Sequence, residues 1–386
     1  MLKIKLLASI PSPHSHFKNA GSRLEKLISS EKFELVESNP DVLFFLTGGS
    51  ERYALEQAAA GHFYILIGSQ HDNAYASATE VKTYLDGENI PCWLLDEEDA
   101  GTKTVLEEFI TARQAIEKLR GKRLGLIGQV SDWLIASTIP AGILKAKLGI
   151  DLVEIPWNKQ SHFSTFKPDE KFLNAFAPAK DVELSETAKV SEMLSCTIGE
   201  WNLDAISVEC FPLVQKDGVT ACLPLARFNN EGIPAGCEGD LTAAAGMMLG
   251  KELTGIVPWM ANINKVSDDG CRFSHCTIAP GLVDNLTIKT HFETGKGTAI
   301  QGDFKGDSIT IYRFDKQLGN AFIATGTITD RPRSGSACRT QIKVKLGEKE
   351  VRLLKENPLG NHHLILPGNH KKRLQLACLL LGINVL

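Results

Sequence analysis

Leu286-Thr287-Ile288-Lys289-Thr290-His291-Phe292 places an apolar or β-branched side chain at 286, 288, 290 and 292, the period-two spacing of a strand with one buried face. The same spacing recurs at 309–314, 321–328 and 340–346, with Gly and Asp turns between the runs. Residues 257–386 are therefore expected to form a mainly antiparallel, barrel-like domain, in which a last strand at 363–366 leads through Pro367-Gly368-Asn369 into a terminal helix. Upstream the pattern changes. Apolar runs at 4–7, 42–46, 63–67 and 92–95 alternate with helical stretches and end on an amphipathic helix at 104–119, which predicts a parallel sheet covered by helices over 1–118. Gly121-Lys122-Arg123 reads as a hinge into a second series over 119–256. That series has strands at 123–127, 152–155 and 205–210, a turn at Gly128, and helices from about Asp132, through 140–148 and around 183–200. Its last helix, at 243–249, is expected to stop at Gly250. The predicted fold is two α/β domains with parallel sheets, 1–118 and 119–256, followed by a β-rich domain, 257–386.

The chain of 386 residues is longer than one hydrophobic core usually supports, and a formal charge of −4 provides no broad basic field for nucleic acid or anionic lipid. A small-molecule ligand is the expected partner. Ser9, Pro11 and Pro13 interrupt the first apolar run before a signal-peptide core can form. The runs at 42–46 and 374–381 are too short to span a bilayer, so a cytoplasmic protein with no membrane association is expected. Nine cysteines without a Cys-x-x-Cys pair argue against a disulfide framework and a structural zinc site, and for small buried apolar residues. Gly125-Leu126-Ile127-Gly128-Gln129-Val130 follows a strand but lacks the three-glycine dinucleotide pattern. Thr47-Gly48-Gly49-Ser50-Glu51 could hold an anion or a hydroxyl on its backbone N–H groups, or could simply be a tight turn with a capped helix.

Three segments carry metal-ligand chemistry: Gly232-Ile233-Pro234-Ala235-Gly236-Cys237-Glu238-Gly239-Asp240-Leu241, Ser274-His275-Cys276, and Gly360-Asn361-His362-His363. Glu238 follows a turn rich in Gly and Pro and precedes a helix, where backbone donors and the helix dipole stabilise an anion. Position alone leaves it evenly between a ligand and a capping role. Asp240 suits an N-cap. His275 by itself reads as a satisfied, partly buried histidine. His362 and His363 are adjacent on a strand, so they point to opposite faces and only one can enter a given site.

Together these segments, with 222–241, 291–302 and Cys338-Arg339-Thr340-Gln341, resemble the L-fucose isomerase and L-arabinose isomerase family over most of the chain. The resemblance implies an aldose–ketose isomerase acting on an open-chain sugar through a cis-enediol. It further implies manganese or another divalent cation, and a homo-oligomer, trimer or hexamer, whose neighbouring subunit completes the site. By the same resemblance Glu238 is base and metal ligand, His363 a metal ligand with His362 as the alternative, and His275 and Arg339 substrate contacts. The family's second acid falls twenty-four residues after Glu238, where this chain reads Met260-Ala261-Asn262. At the catalytic site Asn262 is thus expected to be a weak ligand or substrate contact, since an amide can ligate through oxygen but cannot shuttle a proton. Three outcomes fit: Asp240, Asp268 or Asp269 compensates; Glu238 acts alone; or the protein is a non-catalytic carbohydrate-binding relative. A related lyase or epimerase using the same intermediate is a further alternative.

Overall fold

The computed structural model describes residues 1–386 apart from 11, 13 and 177–181, so Pro11 and Pro13 lie outside the described residues. The chain divides into two compact units, Met1–Gln114 with Leu376–Gly382, and Ala115–Gln375 with Ile383–Leu386.

The first unit contains β1 (Leu2–Leu7), α1 (His14–Leu27), β2 (Phe33–Leu35), β3 (Val42–Phe45), α2 (Glu51–Leu55), β4 (Tyr64–Gly68), α3 (Ala74–Gly87), β5 (Cys92–Asp96) and most of α4 (Ala100–Leu119). Its five strands run parallel in the order β2-β1-β3-β4-β5. β3 and β4 are buried along their whole length, as strands covered on both faces must be, which is why they read as unbroken apolar runs. The three-residue edge strand β2 carried no such run. Gly48 N donates to Asp72 O at 2.7 Å, and Glu51, Asp72 and Glu80 border the same cleft. Of the two expectations for this loop, an anion is disfavoured by those carboxylates.

The second unit opens with β6 (Arg123–Ile127), α5 (Ala141–Leu148), β7 (Asp151–Ile155), α6 (Glu170–Ala175), α7 (Ser185–Glu200), β8 (Ala205–Val208), α8 (Phe211–Asp217), α9 (Cys222–Asn230), β9 (Ala235–Cys237) and α10 (Leu241–Thr254). Its parallel sheet has the order β7-β6-β8-β9. β10 (Trp259–Ser267), β11 (Gly270–His275), β12 (Val283–Lys289), β13 (Ala299–Phe304), β14 (Ser308–Phe314), β15 (Asn320–Asp330), β16 (Thr340–Lys345), α11 (Glu348–Glu356), β17 (His362–Pro367), α12 (Lys371–Leu380), which counts with the first unit from Leu376 on, and β18 (Asn384–Val385) follow. The order β14-β17-β10-β11-β16-β15 closes through a β14–β15 pairing into an antiparallel barrel, with β18 added on β15. β12 and β13 form a separate ribbon, and β12 ends at Lys289, before Thr290 to Phe292 of the run that exposed the pattern.

Several expected boundaries move, each for a physical reason. The change from parallel to antiparallel sheet near 257 does not separate compact units, because α10 packs directly on the barrel: Tyr312 Oη donates to Gly246 O at 2.8 Å. Gly250 does not stop α10 either. A Cβ there would lie 2.2 Å from Tyr312 Oη and 2.5 Å from Pro258 Cγ, so this glycine permits close approach, and Gly255 (φ +76°) ends the helix. No helix starts at Asp132; residues 131–137 form successive turns, with Leu134 N on Ser131 O and Ser137 N on Leu134 O, and α5 begins only after Pro140. Eight of the nine cysteines are buried, Cys196 being exposed. Among the described residues no helix is long and apolar enough to cross a membrane.

Candidate metal centre

Glu238 directly follows β9 at the carboxyl edge of the parallel sheet of the second unit, with φ +60°, and Gly239 after it has φ +70°. Two successive left-handed residues turn the chain sharply into α10, and the non-glycine one is a strained conformation that surrounding bonds must hold. Asp240 is the N-cap, its Oδ1 accepting from Ala243 N at 2.7 Å. The capping reading is correct but incomplete. Asp240 Oδ2 also meets His362 Nδ1 at 2.9 Å and Arg313 Nη1 at 3.4 Å, with all three side chains buried.

His362, not His363, faces Glu238: its Nε2 is 3.7 Å from Glu238 Oε1 and has no hydrogen-bond partner. His363 points the other way, as neighbours on a strand must. Its ring packs 5.7 Å from Phe273 and 5.8 Å from Phe322, and its Nδ1 lies 3.1 Å from Asn361 O. The metal role expected of His363 therefore passes to the alternative, His362. Among the described residues, one group of His, Cys, Asp and Glu side chains has the closeness a shared ion needs: Glu238, His275 and His362, with ligand atoms all within 4.8 Å of one another.

The contacts at Nδ1 would give the two rings opposite tautomers when both are neutral. Asp240 accepts the Nδ1 proton of His362, which leaves the Nε2 lone pair free in the neutral ring, the carboxylate–histidine arrangement that orients a metal ligand. His275 Nδ1 instead accepts from Thr277 N at 3.0 Å, so the neutral ring keeps its proton on Nε2. As bonded, His275 can only donate from Nε2, and it becomes an Nε2 ligand only by giving up the Thr277 bond.

Charge follows from these contacts. Burial alone would raise the Glu238 carboxyl, but His362 and the Trp133 N–H outweigh it and hold it below the usual range. Burial also opposes ionisation of Asp240, yet Arg313 and His362 bring it down to about 2. Burial pulls His362 down, and the Asp240 and Glu238 carboxylates overcome this and push it up to about 9. His275 is driven down to about 3 by burial and by His362. Near neutral pH the metal-free cluster thus holds two carboxylates, one imidazolium and one neutral imidazole. A divalent ion would displace the His362 proton.

The other expected residues are engaged in contacts of their own. Asn262 stands opposite His362 in the β10–β17 ladder, but its Oδ1 already accepts from Asn361 Nδ2 at 2.6 Å and its Nδ2 is 4.0 Å from Cys338 Sγ. Asp268 and Asp269 lie at the β10–β11 turn, where Asp268 bonds Lys355 and Asp269 lies 3.9 Å from Lys343; neither replaces the missing acid. Arg339 donates to Thr290 O and Oγ1 and lies over Phe292, bracing the segment after β12. Sequence reasoning missed Trp133, which donates from Nε1 to Glu238 Oε2 at 2.6 Å, because it sat in an expected helix. It also missed Arg313, whose signal was a guanidinium within the otherwise uncharged run 308–314. Arg313 is 2% exposed and donates to His362 O, Leu359 O and Ser137 Oγ besides Asp240.

Gly360 is what lets this guanidinium fit. It has φ +145°, and a Cβ there would come within 2.3–2.6 Å of three Arg313 atoms. Gly360→Ala is expected to cost about 1–3 kcal/mol of stability, read as a lower urea midpoint with an unchanged slope. An unchanged midpoint would show that the strand entry relaxes freely.

The fold and cluster together place a carboxylate and two imidazoles, close enough to share one ion, at the carboxyl edge of a parallel sheet. The chain matches no protein-family model and no curated protein sequence.

Proposed function

We propose that the protein is a metal-dependent aldose–ketose isomerase of the kind the L-fucose and L-arabinose isomerases represent, acting on an open-chain sugar through an enediol. The observation that carries this reading is the buried, unpartnered Nε2 of His362 beside the Glu238 carboxylate and His275. Glu238 and His362 are the groups that would hold the ion, with His275 as third ligand or as donor; manganese is the ion proposed. Once bound, a divalent cation supplies positive charge to the carbonyl and hydroxyl oxygens of the sugar. The chain's own residues do the rest. Glu238, kept ionised, takes the proton from the hydroxyl-bearing carbon beside the carbonyl and returns it to the former carbonyl carbon, while the hydroxyl proton passes to the former carbonyl oxygen. His275 Nε2–H donates to a sugar oxygen, and Asp240 keeps His362 in the tautomer that leaves Nε2 available. A cytoplasmic homo-oligomer, trimer or hexamer, belongs to the same reading.

The rival, a sugar-binding relative without chemistry, is favoured by one observation: the position of the family's second acid is an amide whose oxygen is already bonded. Titration with Mn2+ followed by incubation with a panel of aldoses in deuterated water separates the two. Tight metal binding with deuterium entering the sugar supports the isomerase; sugar binding without metal or exchange supports the rival. Asn262→Asp keeps an acceptor for Asn361 Nδ2 and adds a carboxylate, so Mn2+ affinity and exchange are both expected to rise. If neither changes and no variant turns over any aldose, the isomerase reading fails.

A further inference from the structure

The turns at residues 129–137 are bound to the Glu238 corner at both ends. Ser131 N donates to Glu238 O at 3.0 Å, and Ser137 O accepts from Leu241 N at 3.1 Å and Thr242 N at 3.3 Å. A Cβ on Gly239 would come 2.2 Å from Gln129 O, so the two segments are in close backbone contact. Between these anchors Trp133 turns its Nε1–H inward to Glu238 Oε2 while its indole stays 53% exposed and meets the Phe211 ring edge-on at 4.8 Å. An indole this open is not a core residue. What its contact changes is the carboxylate: Oε2 is committed to Trp133, and Oε1 is left 3.7 Å from the free Nε2 of His362.

We propose that residues 129–137 form a strap that sets the Glu238 carboxylate, with Trp133 as its positioning residue, so that one oxygen only is presented to the ion; this rests on the metal-dependent function proposed above. The strained left-handed backbone at Glu238 explains why such a strap is needed, because a carboxylate on a strained corner is aimed only as well as its supports allow.

Trp133→Phe keeps a ring against Phe211 and deletes the N–H. Mn2+ affinity is expected to fall about 10–100-fold with an unchanged thermal midpoint, whereas Ile135→Ala, on the same turns and 84% exposed, is expected to bind Mn2+ as the wild type does. Equal affinity in Trp133→Phe and wild type overturns the proposal. A second readout needs no metal. The chain has five tryptophans, so 15N-indole labelling yields few signals, and the one lost in Trp133→Phe is expected to shift in Glu238→Gln. If the wild type binds no Mn2+, the metal-dependent function fails and this signal alone decides: a shift supports the strap, and an unmoved signal overturns it.

Discussion

Glu238→Gln is expected, under the isomerase function proposed above, to lower deuterium exchange into an aldose by about 10²–10⁴-fold, the range general-base removal usually produces, and to do so in both the native and the Asn262→Asp background. The amide keeps the length of the side chain and can still accept the Trp133 N–H, so the corner at 238–240 should fold as before. What it lacks is a lone pair basic enough to take a carbon-bound proton, and the negative charge facing His362. Mn2+ affinity should fall with turnover. Measured by titration and by exchange in parallel, a variant that still exchanges at the native rate would show that the base lies elsewhere. One that binds Mn2+ as tightly as the wild type but does not exchange would show that Glu238 is base without being ligand.

Asp240→Asn is expected to cost about 3–5 kcal/mol of stability, the usual consequence of leaving a buried charge without its partner. The cap itself should survive, because the amide oxygen can accept from Ala243 N as Oδ1 does now. The loss therefore reports on Arg313 and His362, not on α10. The sign with pH follows from the depressed carboxyl. Asp240 contributes its stability above its ordinary value of 3.8, and that contribution disappears as pH falls towards about 2, so the variant should lack this part of the acid limb. Metal binding gives a second measure. Because His362 is raised to about 9, native Mn2+ affinity should climb about tenfold per pH unit up to that value and then level. Without the Asp240 charge the break moves to lower pH. Above the break, where proton competition has ended, the variant should bind about 10–100-fold more weakly through loss of ring orientation alone. An unshifted break would mean that Asp240 does not set the His362 proton.

The parallel sheets were legible wherever strands are buried on both faces. Val42 to Phe45 and Tyr64 to Gly68 are continuous apolar runs because helices cover them on each side. Period-two alternation likewise announced an antiparallel region, even though the run that exposed it, at 286–292, belongs to the β12–β13 ribbon and not to the closed barrel. Glycine was the least legible residue. Gly250 reads as a helix stop from its propensity, yet it sits inside α10 because Tyr312 and Pro258 leave no room for a Cβ.

For the candidate site, the residue types and their alternation on a strand determined that either His362 or His363, and not both, could join Glu238, and that Asp240 would cap the helix behind it. Which histidine it is, and that His275 stands with it, was decided only by tertiary structure. The choice depends on register, Asn262 opposite His362 and Ala261 opposite His363, since a shift of one residue exchanges every side chain between the two faces. Trp133 and Arg313 were invisible for a related reason. They reach Glu238 and Asp240 across 105 and 73 residues of chain, and contacts between groups that distant arise from folding and leave no period or spacing in the sequence.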